Sequence, residues 1–131
     1  MTKPKYKSGF EVKVAKSLHQ QKVEFRYESK KFPFVQPAKK RTYTPDFFIP
    51  EVDLYVECKG KLTKAERDKL LWVKETYPDL SLILLFMRAR NFIRKGSKTR
   101  YSDWAEANGF EYYDWDRGGI PPERLKKKNN A

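Results

Sequence analysis

Two consecutive apolar segments carry charged residues where a strand normally buries apolar side chains. The first, TYTPDFFIP, contains Asp46, and the second, LYVECKG, contains Glu57 and Lys59. Residues two apart in a strand point to the same side, so Glu57 and Lys59 share one face while Cys58 faces the other. If a turn at residues 50–53 pairs the two strands, Asp46 comes alongside Glu57. Two adjacent carboxylates repel each other unless a cation lies between them, so the pair constrains both the fold and the chemistry.

The alternative for these residues is an exposed cross-strand ion pair between Lys59 and its carboxylates. Glu-x-Lys occurs three times in the chain and Pro-Asp occurs twice, so neither motif alone is specific. Only one of the Pro-Asp pairs lies in a predicted strand that is followed by a strand carrying Glu-x-Lys. That combination favours a metal site with a lysine beside it.

The chain offers few ligands for soft metals. It contains one cysteine, Cys58, and one histidine, His19, which excludes an intrachain disulfide and a zinc site built from several thiolates or imidazoles. A metal must therefore be bound by oxygen, and carboxylates and carbonyls are the ligands that Mg²⁺ and Mn²⁺ prefer. We expect the Cys58 thiol to pack in the core as a small apolar group and His19 to lie at the surface.

The net charge points to a polyanionic partner. The chain has 29 Lys and Arg against 17 Asp and Glu, a formal charge of +12, spread along its whole length. Nucleic acid is the first candidate, because neutralised phosphates release counterions. An anionic membrane is the second, but no basic amphipathic helix is evident. The longest apolar run, 82–86, is far shorter than the ~20 residues that span a bilayer, and the N-terminus lacks the apolar core of a signal peptide.

The hydrophobic periodicity predicts one α/β domain with a mixed central β-sheet flanked by helices. Predicted helices cover 9–21, 64–77 and 102–108, and predicted strands cover 23–29, 43–49, 54–59, 80–87 and 110–115. Pro33 and Pro37 interrupt the segment 31–41, which we expect to be extended without being a central strand. The domain occupies 8–120, between basic tails at 1–7 and 121–131.

Several motifs together resemble a known family. Pro45-Asp46 followed by Glu57-Cys58-Lys59 resembles the motif of the PD-(D/E)xK nucleases. The segments SGFEVKVAKSL, YTPDFFIP, VECKG and KGSKTRYSDWAEANG resemble, in order and spacing, the endonuclease I family of T-odd bacteriophages, which are junction-resolving enzymes. The resemblance covers residues 8–110. It implies a restriction-endonuclease-like core, hydrolysis of phosphodiester bonds in branched or four-way DNA, and a location in the cytoplasm of the host cell.

The resemblance also implies a set of catalytic residues. Glu11, from the first helix, would join Asp46, Glu57 and Lys59, although its position also fits the partner of the N-cap in a helix capping box. We expect Asp46 to bridge a pair of Mg²⁺ or Mn²⁺ ions, with Glu57, Glu11 and the backbone carbonyl of Cys58 as outer ligands. Lys59 would orient or deprotonate the attacking water.

The same family is expected to work as a segment-swapped homodimer. The bridging segment, about 31–41, would cross between subunits. Each active site would then be composite, with Glu11 from one chain and Asp46, Glu57 and Lys59 from the other.

We expect DNA phosphates to contact basic residues of the N-terminal tail and of the loop after the 80–87 strand, with solvated surface charge as the alternative for each. These residues are Lys3, Lys5, Lys7, Arg90, Arg94, Lys95, Lys98 and Arg100.

Two other functions stay open from the sequence. One is a sequence-specific or recombination-associated nuclease with the same catalytic residues, which cleavage of branched against linear DNA would distinguish. The other is a non-catalytic basic nucleic-acid-binding protein with a decayed site, which Mg²⁺-dependent nicking would exclude.

Overall fold

A computed structural model describes residues 5–36 and 39–127, and within these ranges the chain forms three α-helices and seven strands. The helices are α1 (Gly9–Gln20), α2 (Lys64–Thr76) and α3 (Tyr101–Ala107). The strands are β1 (Arg26–Tyr27), β2 (Phe32–Gln36), β3 (Lys39–Tyr43), β4 (Phe47–Ile49), β5 (Leu54–Lys59), β6 (Leu82–Phe86) and β7 (Glu111–Asp114). All three predicted helices are present within a residue or two of their predicted bounds. In the described ranges, no helix has the length and apolar character to cross a membrane.

Five strands form one mixed sheet in the order β1-β4-β5-β6-β7. The β1–β4 and β4–β5 pairs are antiparallel, whereas β5–β6 and β6–β7 are parallel. The parallel pairs are joined through α2 and α3, as crossover connections between parallel strands require. The predicted mixed central sheet flanked by helices is therefore confirmed.

The alternation of side chains along β6 divides the core into two layers. Ile83 and Leu85 pack in the same cluster as Val14 of α1, while Leu84 and Phe86 pack in the same cluster as Trp104 of α3. Because both faces of β6 are covered, its sequence is continuously apolar, as expected of a central parallel strand.

The predicted strand 43–49 is wrong in its first half. Tyr43 is the last residue of β3, which belongs to a separate two-stranded sheet, and β4 begins at Phe47. Residues 44–46 connect the two sheets, and the Asp46 side chain there accepts a hydrogen bond from the backbone of β5. The predicted strand 23–29 is shorter for a local reason. Glu28 has a φ of 45°, in the left-handed region that interrupts an extended strand.

The described part of the segment 31–41 is extended and pairs within its own chain. Strands β2 and β3 pair with each other, with Pro33 opposite Thr42. A two-stranded ribbon has free edges, so the missing N–H of a proline is tolerated there. Phe34 packs against Val73 of α2, which attaches the ribbon to the domain. Pro37 lies outside the described residues, and a crossing between subunits stays a prediction.

Candidate active site

The β4–β5 pairing brings the predicted carboxylates together. Phe47 lies opposite Val56, so Asp46 immediately precedes the paired strand at the level of Glu57. The Asp46 Oδ2 atom accepts a hydrogen bond from the backbone N–H of Cys58 at 2.8 Å. The turn that makes this register possible is a short 3₁₀ helix at Pro50–Val52, at the predicted position.

Glu57 is buried and both of its carboxylate oxygens are held. Oε1 accepts a hydrogen bond of 2.8 Å from the Tyr43 hydroxyl, and Oε2 lies 3.0 Å from the Lys59 ammonium. Tyr43 has 1% of its surface exposed, so the tyrosine is itself fixed by packing. Cys58 lies in the α1 layer of the core, as predicted, while Glu57 and Lys59 point to the opposite side of β5.

Lys59 has a second carboxylate partner on α2. Its ammonium pairs with Glu66 Oε2 as well as with Glu57. Glu66 occupies the third position of α2, and its amide donates to the Thr63 N-cap at 3.3 Å. Its carboxylate is directed at Lys59, so a residue that fits a capping box also holds the proposed catalytic lysine in place.

Glu11 reaches the site from the first helix of the same chain. Its amide donates to Ser8 Oγ at 3.1 Å, which caps α1, while Oε1 of its carboxylate accepts from the Lys7 N–H at 3.1 Å and from the Tyr27 hydroxyl. The charge of the Glu11 carboxylate also raises the pKa of Asp46, so the two carboxyl groups lie close together. Glu11 can serve both roles because its amide takes part in the helix cap while its carboxylate lies at the site.

The three carboxylates are the buried charged residues of the described chain. Glu11, Asp46 and Glu57 each have 6–7% of their surface exposed. Burial, and after it the charge of Glu57, raise the pKa of Asp46 to about 9, against the opposing effect of the Cys58 N–H bond. Burial also raises the pKa of Glu57, although Lys59 and the Tyr43 hydroxyl oppose the change. In this state, Asp46 is protonated at neutral pH.

The pKa of Lys59 is also raised, in this case by neighbouring charges and against the effect of burial. Burial lowers the pKa of Lys59, but the carboxylates of Glu57 and Glu66 outweigh it, so the pKa lies above its usual value. Lys59 is therefore a fixed positive charge beside the acidic cluster.

The donor set fits a hard cation in its chemistry, since every candidate ligand is oxygen. The positions of these oxygens, however, do not form a complete metal site. Across residues 5–36 and 39–127, no group of three or more His, Cys, Asp or Glu residues is arranged to hold a metal ion. Tyr43 and Lys59 hold the two oxygens of Glu57, and the Cys58 N–H donates to Asp46. A cation would need proton loss from Asp46 and a change in these side-chain contacts.

The sequence did not indicate four residues of this site. Tyr43 and Tyr27 donate to Glu57 and Glu11, Glu66 holds Lys59, and the Lys69 ammonium lies 5.6 Å from the centroid of the Tyr43 ring. Glu66 and Lys69 are three apart in α2 and so share a helical face, which was the available signal. With Phe34, Arg41, Thr42 and Ala65 they line a cavity of about 220 Å³ beside Lys59.

Both predicted basic segments adjoin the site, the N-terminal one at its last residue and the loop after β6 at its first. The Lys7 amide donates to Glu11, and its side chain, 72% exposed, pairs with Glu28 at 3.0 Å. The loop after β6 begins at Met87, whose N–H donates to the Lys59 carbonyl at 3.0 Å.

The predicted phosphate contacts have different surroundings. Arg90 pairs with Asp116 at 3.1 Å, and Arg100 Nη1 donates to the Arg90 carbonyl at 2.9 Å. Four more of them are exposed: Lys5, Arg94, Lys95 and Lys98. Lys3 lies outside the described residues.

Replacing Tyr43 by phenylalanine tests the support of Glu57. The change removes the hydroxyl donor and leaves a buried carboxylate oxygen unpaired, so we expect the free energy of unfolding to fall by about 1–3 kcal/mol. Urea denaturation measures the loss. Tyr112→Phe is the control, because its hydroxyl donates to Glu106 in an exposed contact. Equal, small effects of both changes would show that the Tyr43 bond does not support Glu57.

The chain is similar in sequence to known phage nucleases. A family model described as phage endonuclease I matches residues 1–131. The chain is 36% identical to Endonuclease I of Escherichia phage T7 over 132 residues, covering 94% of this chain and 88% of that protein. It is 37% identical to Endodeoxyribonuclease 1 of Enterobacteria phage T3 over 109 residues, covering 83% and 71% of the two chains.

Proposed function

Because the chain belongs to the phage endonuclease I family, we propose that it is a divalent-metal-dependent DNA endonuclease that cuts branched DNA, four-way junctions in particular. The observation that carries the proposal is the burial of three carboxylates, Glu11, Asp46 and Glu57, where the charges of both glutamates act on Asp46 and Lys59 pairs with Glu57. Burying like charges together is costly unless the site binds a cation. The T3 relative is named as an endodeoxyribonuclease, which supports DNA as the substrate.

The proposed ligands of the cation are the carboxylates of Asp46, Glu57 and Glu11 and the carbonyl of Cys58. When bound, a pair of Mg²⁺ or Mn²⁺ ions supplies Lewis acidity and a water of lowered pKa. Asp46 must lose its proton before it can serve as a ligand, and Tyr43 keeps Glu57 oriented. The buried surroundings of the cluster strengthen each of these electrostatic interactions.

The charge state of Lys59 favours one of its two predicted roles. Since its pKa is raised by Glu57 and Glu66, the ammonium form is stabilised, and the lysine is poorly suited to accept a proton. We propose that Lys59 orients the attacking water and offsets the negative charge that develops on the scissile phosphate. The water oxygen would then bond to phosphorus as the bond to the leaving oxygen breaks, with the water proton passing to solvent and the leaving oxygen taking up a proton from solvent.

Selectivity for branched DNA is supported by where the basic residues lie. They flank the site in two separate segments, the N-terminal segment that leads to Glu11 and the loop that begins beside Lys59. Phosphate contacts of this kind position DNA without reading its sequence, so the shape of the substrate would decide where it is cut.

The test is cleavage of a synthetic four-way junction beside a linear duplex that contains the same sequences, with Mg²⁺ or with a chelator. We expect paired cuts near the branch with Mg²⁺, little cleavage of the duplex, and none with the chelator. Equal cleavage of the two substrates would replace this proposal with a nuclease that does not select branched DNA. No cleavage at any Mg²⁺ or Mn²⁺ concentration would favour the non-catalytic alternative.

We further propose that two chains exchange α1 and β1 to form a homodimer. In the single chain, Glu11 meets its own Asp46, and the β2–β3 ribbon connects the α1–β1 unit to the rest of the sheet. Opening such a ribbon lets the same contacts form between two chains, at low cost because the interactions are preserved. The two sites would then be composite, as the family resemblance implies.

Mixing two inactive variants tests the exchange. In a heterodimer of Glu11→Ala and Lys59→Ala chains, one composite site carries both changes and the other carries neither, so we expect nicking at about one working site per heterodimer. Unshared sites would each carry one change, and activity would stay absent after verified subunit exchange. Each variant alone is the control.

A further inference from the structure

The loop between β6 and α3 presents an exposed aromatic ring. Phe92 has 48% of its surface exposed, the largest exposed fraction among the large apolar residues of the described chain. The guanidinium carbon of Arg100 lies over the ring, 4.7 Å from its centroid. A half-exposed aromatic ring that arginine covers on one face offers its remaining exposed surface to a partner.

The loop holds this ring in place through backbone hydrogen bonds. The Ile93 amide donates to the Thr99 carbonyl at 2.9 Å, and the Tyr101 amide donates to the Asn91 carbonyl at 2.8 Å. Phe92 and Arg100 lie opposite each other in a β-bridge between these two bonds. The ring is therefore presented by an ordered hairpin, so little conformational entropy is lost when a partner binds.

The charge around the ring indicates the chemistry of that partner. The loop sequence 88–100 contains six basic residues and no acidic residue. The loop starts where the Met87 amide binds the Lys59 carbonyl, at the same end of the sheet as the proposed active site. A flat aromatic ring within a polycationic loop complements a nucleic acid, whose bases stack on aromatic side chains while its phosphates contact Lys and Arg.

We propose that Phe92, backed by Arg100, is a stacking platform for an unpaired or unstacked base of the DNA substrate. That the substrate is DNA rests on the proposed function. The platform adds a contact that would distinguish DNA with an accessible base from a continuous duplex. In a continuous duplex both faces of an internal base are covered by its neighbours. At a branch point or in a single strand a base face is accessible.

Binding measured without cleavage tests the platform, in calcium or chelator, with single-stranded DNA, a four-way junction and a linear duplex. We expect Phe92→Ala to weaken single-strand and junction binding about tenfold or more and to leave duplex binding within about twofold. A 2-aminopurine base in the single strand should be quenched by the wild-type protein and by Phe92→Tyr, but not by Phe92→Ala. Leu71→Ala, which truncates another exposed apolar residue, is the control and should behave as wild type.

If Phe92→Ala binds DNA and quenches 2-aminopurine as wild type does, Phe92 is not a stacking platform. An equal loss of affinity for all three DNAs would also overturn the proposal. These outcomes are separate from failure of the proposed function. If the wild-type protein quenches 2-aminopurine but never cuts a junction, the platform is supported and the endonuclease proposal fails. If the protein cuts junctions but Phe92→Ala binds DNA as wild type does, the endonuclease proposal is supported and the platform fails.

Discussion

Replacing Lys59 by alanine is expected to lower the rate of DNA cleavage by about 10²–10³-fold while leaving DNA binding nearly unchanged. The ammonium lies 3.0 Å from Glu57, within the acidic cluster, and its side chain is 13% exposed, so it can contribute little to binding outside the site. Single-turnover cleavage of a four-way junction, with binding measured in calcium, separates the two quantities.

Lys61→Ala is the matched control, since it removes an exposed lysine from the segment that follows β5. It should cleave at close to the wild-type rate. A Lys59→Ala protein that folds, binds and still cleaves at that rate would remove Lys59 from the proposed mechanism. Urea denaturation is needed beside the kinetics, because the variant leaves Glu57 with one fewer partner.

Replacing Asp46 by asparagine is expected to abolish cleavage and at the same time to stabilise the cation-free protein at neutral and alkaline pH. Asparagine keeps an oxygen for the Cys58 N–H and is neutral at every pH, whereas Asp46 must take up a proton or carry a charge next to Glu57 and Glu11 when the chain folds. A loss of activity that comes with a gain in stability is the pattern expected where a functional site concentrates unfavourable charge.

The sign of the pH dependence follows from the pKa of Asp46, which rises from 3.8 to about 9 in the folded protein. The folded state holds the proton more tightly than the unfolded state does. The resulting stability is fully present below about pH 4 and is lost as the pH rises through about 9. Between pH 4 and pH 8, wild type should lose more free energy of unfolding than Asp46→Asn does, by more than about 1.4 kcal/mol, the equivalent of one pKa unit.

Urea denaturation in chelator across this pH range measures the difference. Asp79→Asn, in the second Pro-Asp pair of the chain and at an exposed position, is the control and should follow wild type. Parallel curves for wild type and Asp46→Asn would show that Asp46 is not buried among like charges.

Local patterns predicted much of the fold and the central pair of the site. The start of α1 follows from Ser8 as its N-cap, and the central position of β6 follows from its continuous apolar run. The adjacency of Asp46 and Glu57 follows from strand periodicity together with a short turn, which leaves little freedom in the register.

The remaining features depend on contacts between residues distant in sequence. Tyr43 has a side chain suited to continuing β4, but its hydroxyl bonds Glu57, fourteen residues away, and its strand pairs with β2. Glu66 fits a local capping box, and the nearby ammonium of Lys59 attracts its carboxylate instead. In both cases tertiary contacts outweigh a local preference, which a pattern along the chain does not reveal.

Calorimetric titration of Mn²⁺ tests whether Asp46, Glu57 and Glu11 form one cation site. Titrations at neutral pH in two buffers of different ionisation enthalpy also measure proton release. We expect wild type to bind Mn²⁺ and to release protons as Asp46 ionises, Asp46→Asn and Glu57→Gln to lose this binding, and Asp79→Asn to retain it. Binding by Asp46→Asn with the affinity and proton release of wild type would show that Asp46 is not a ligand of the cation.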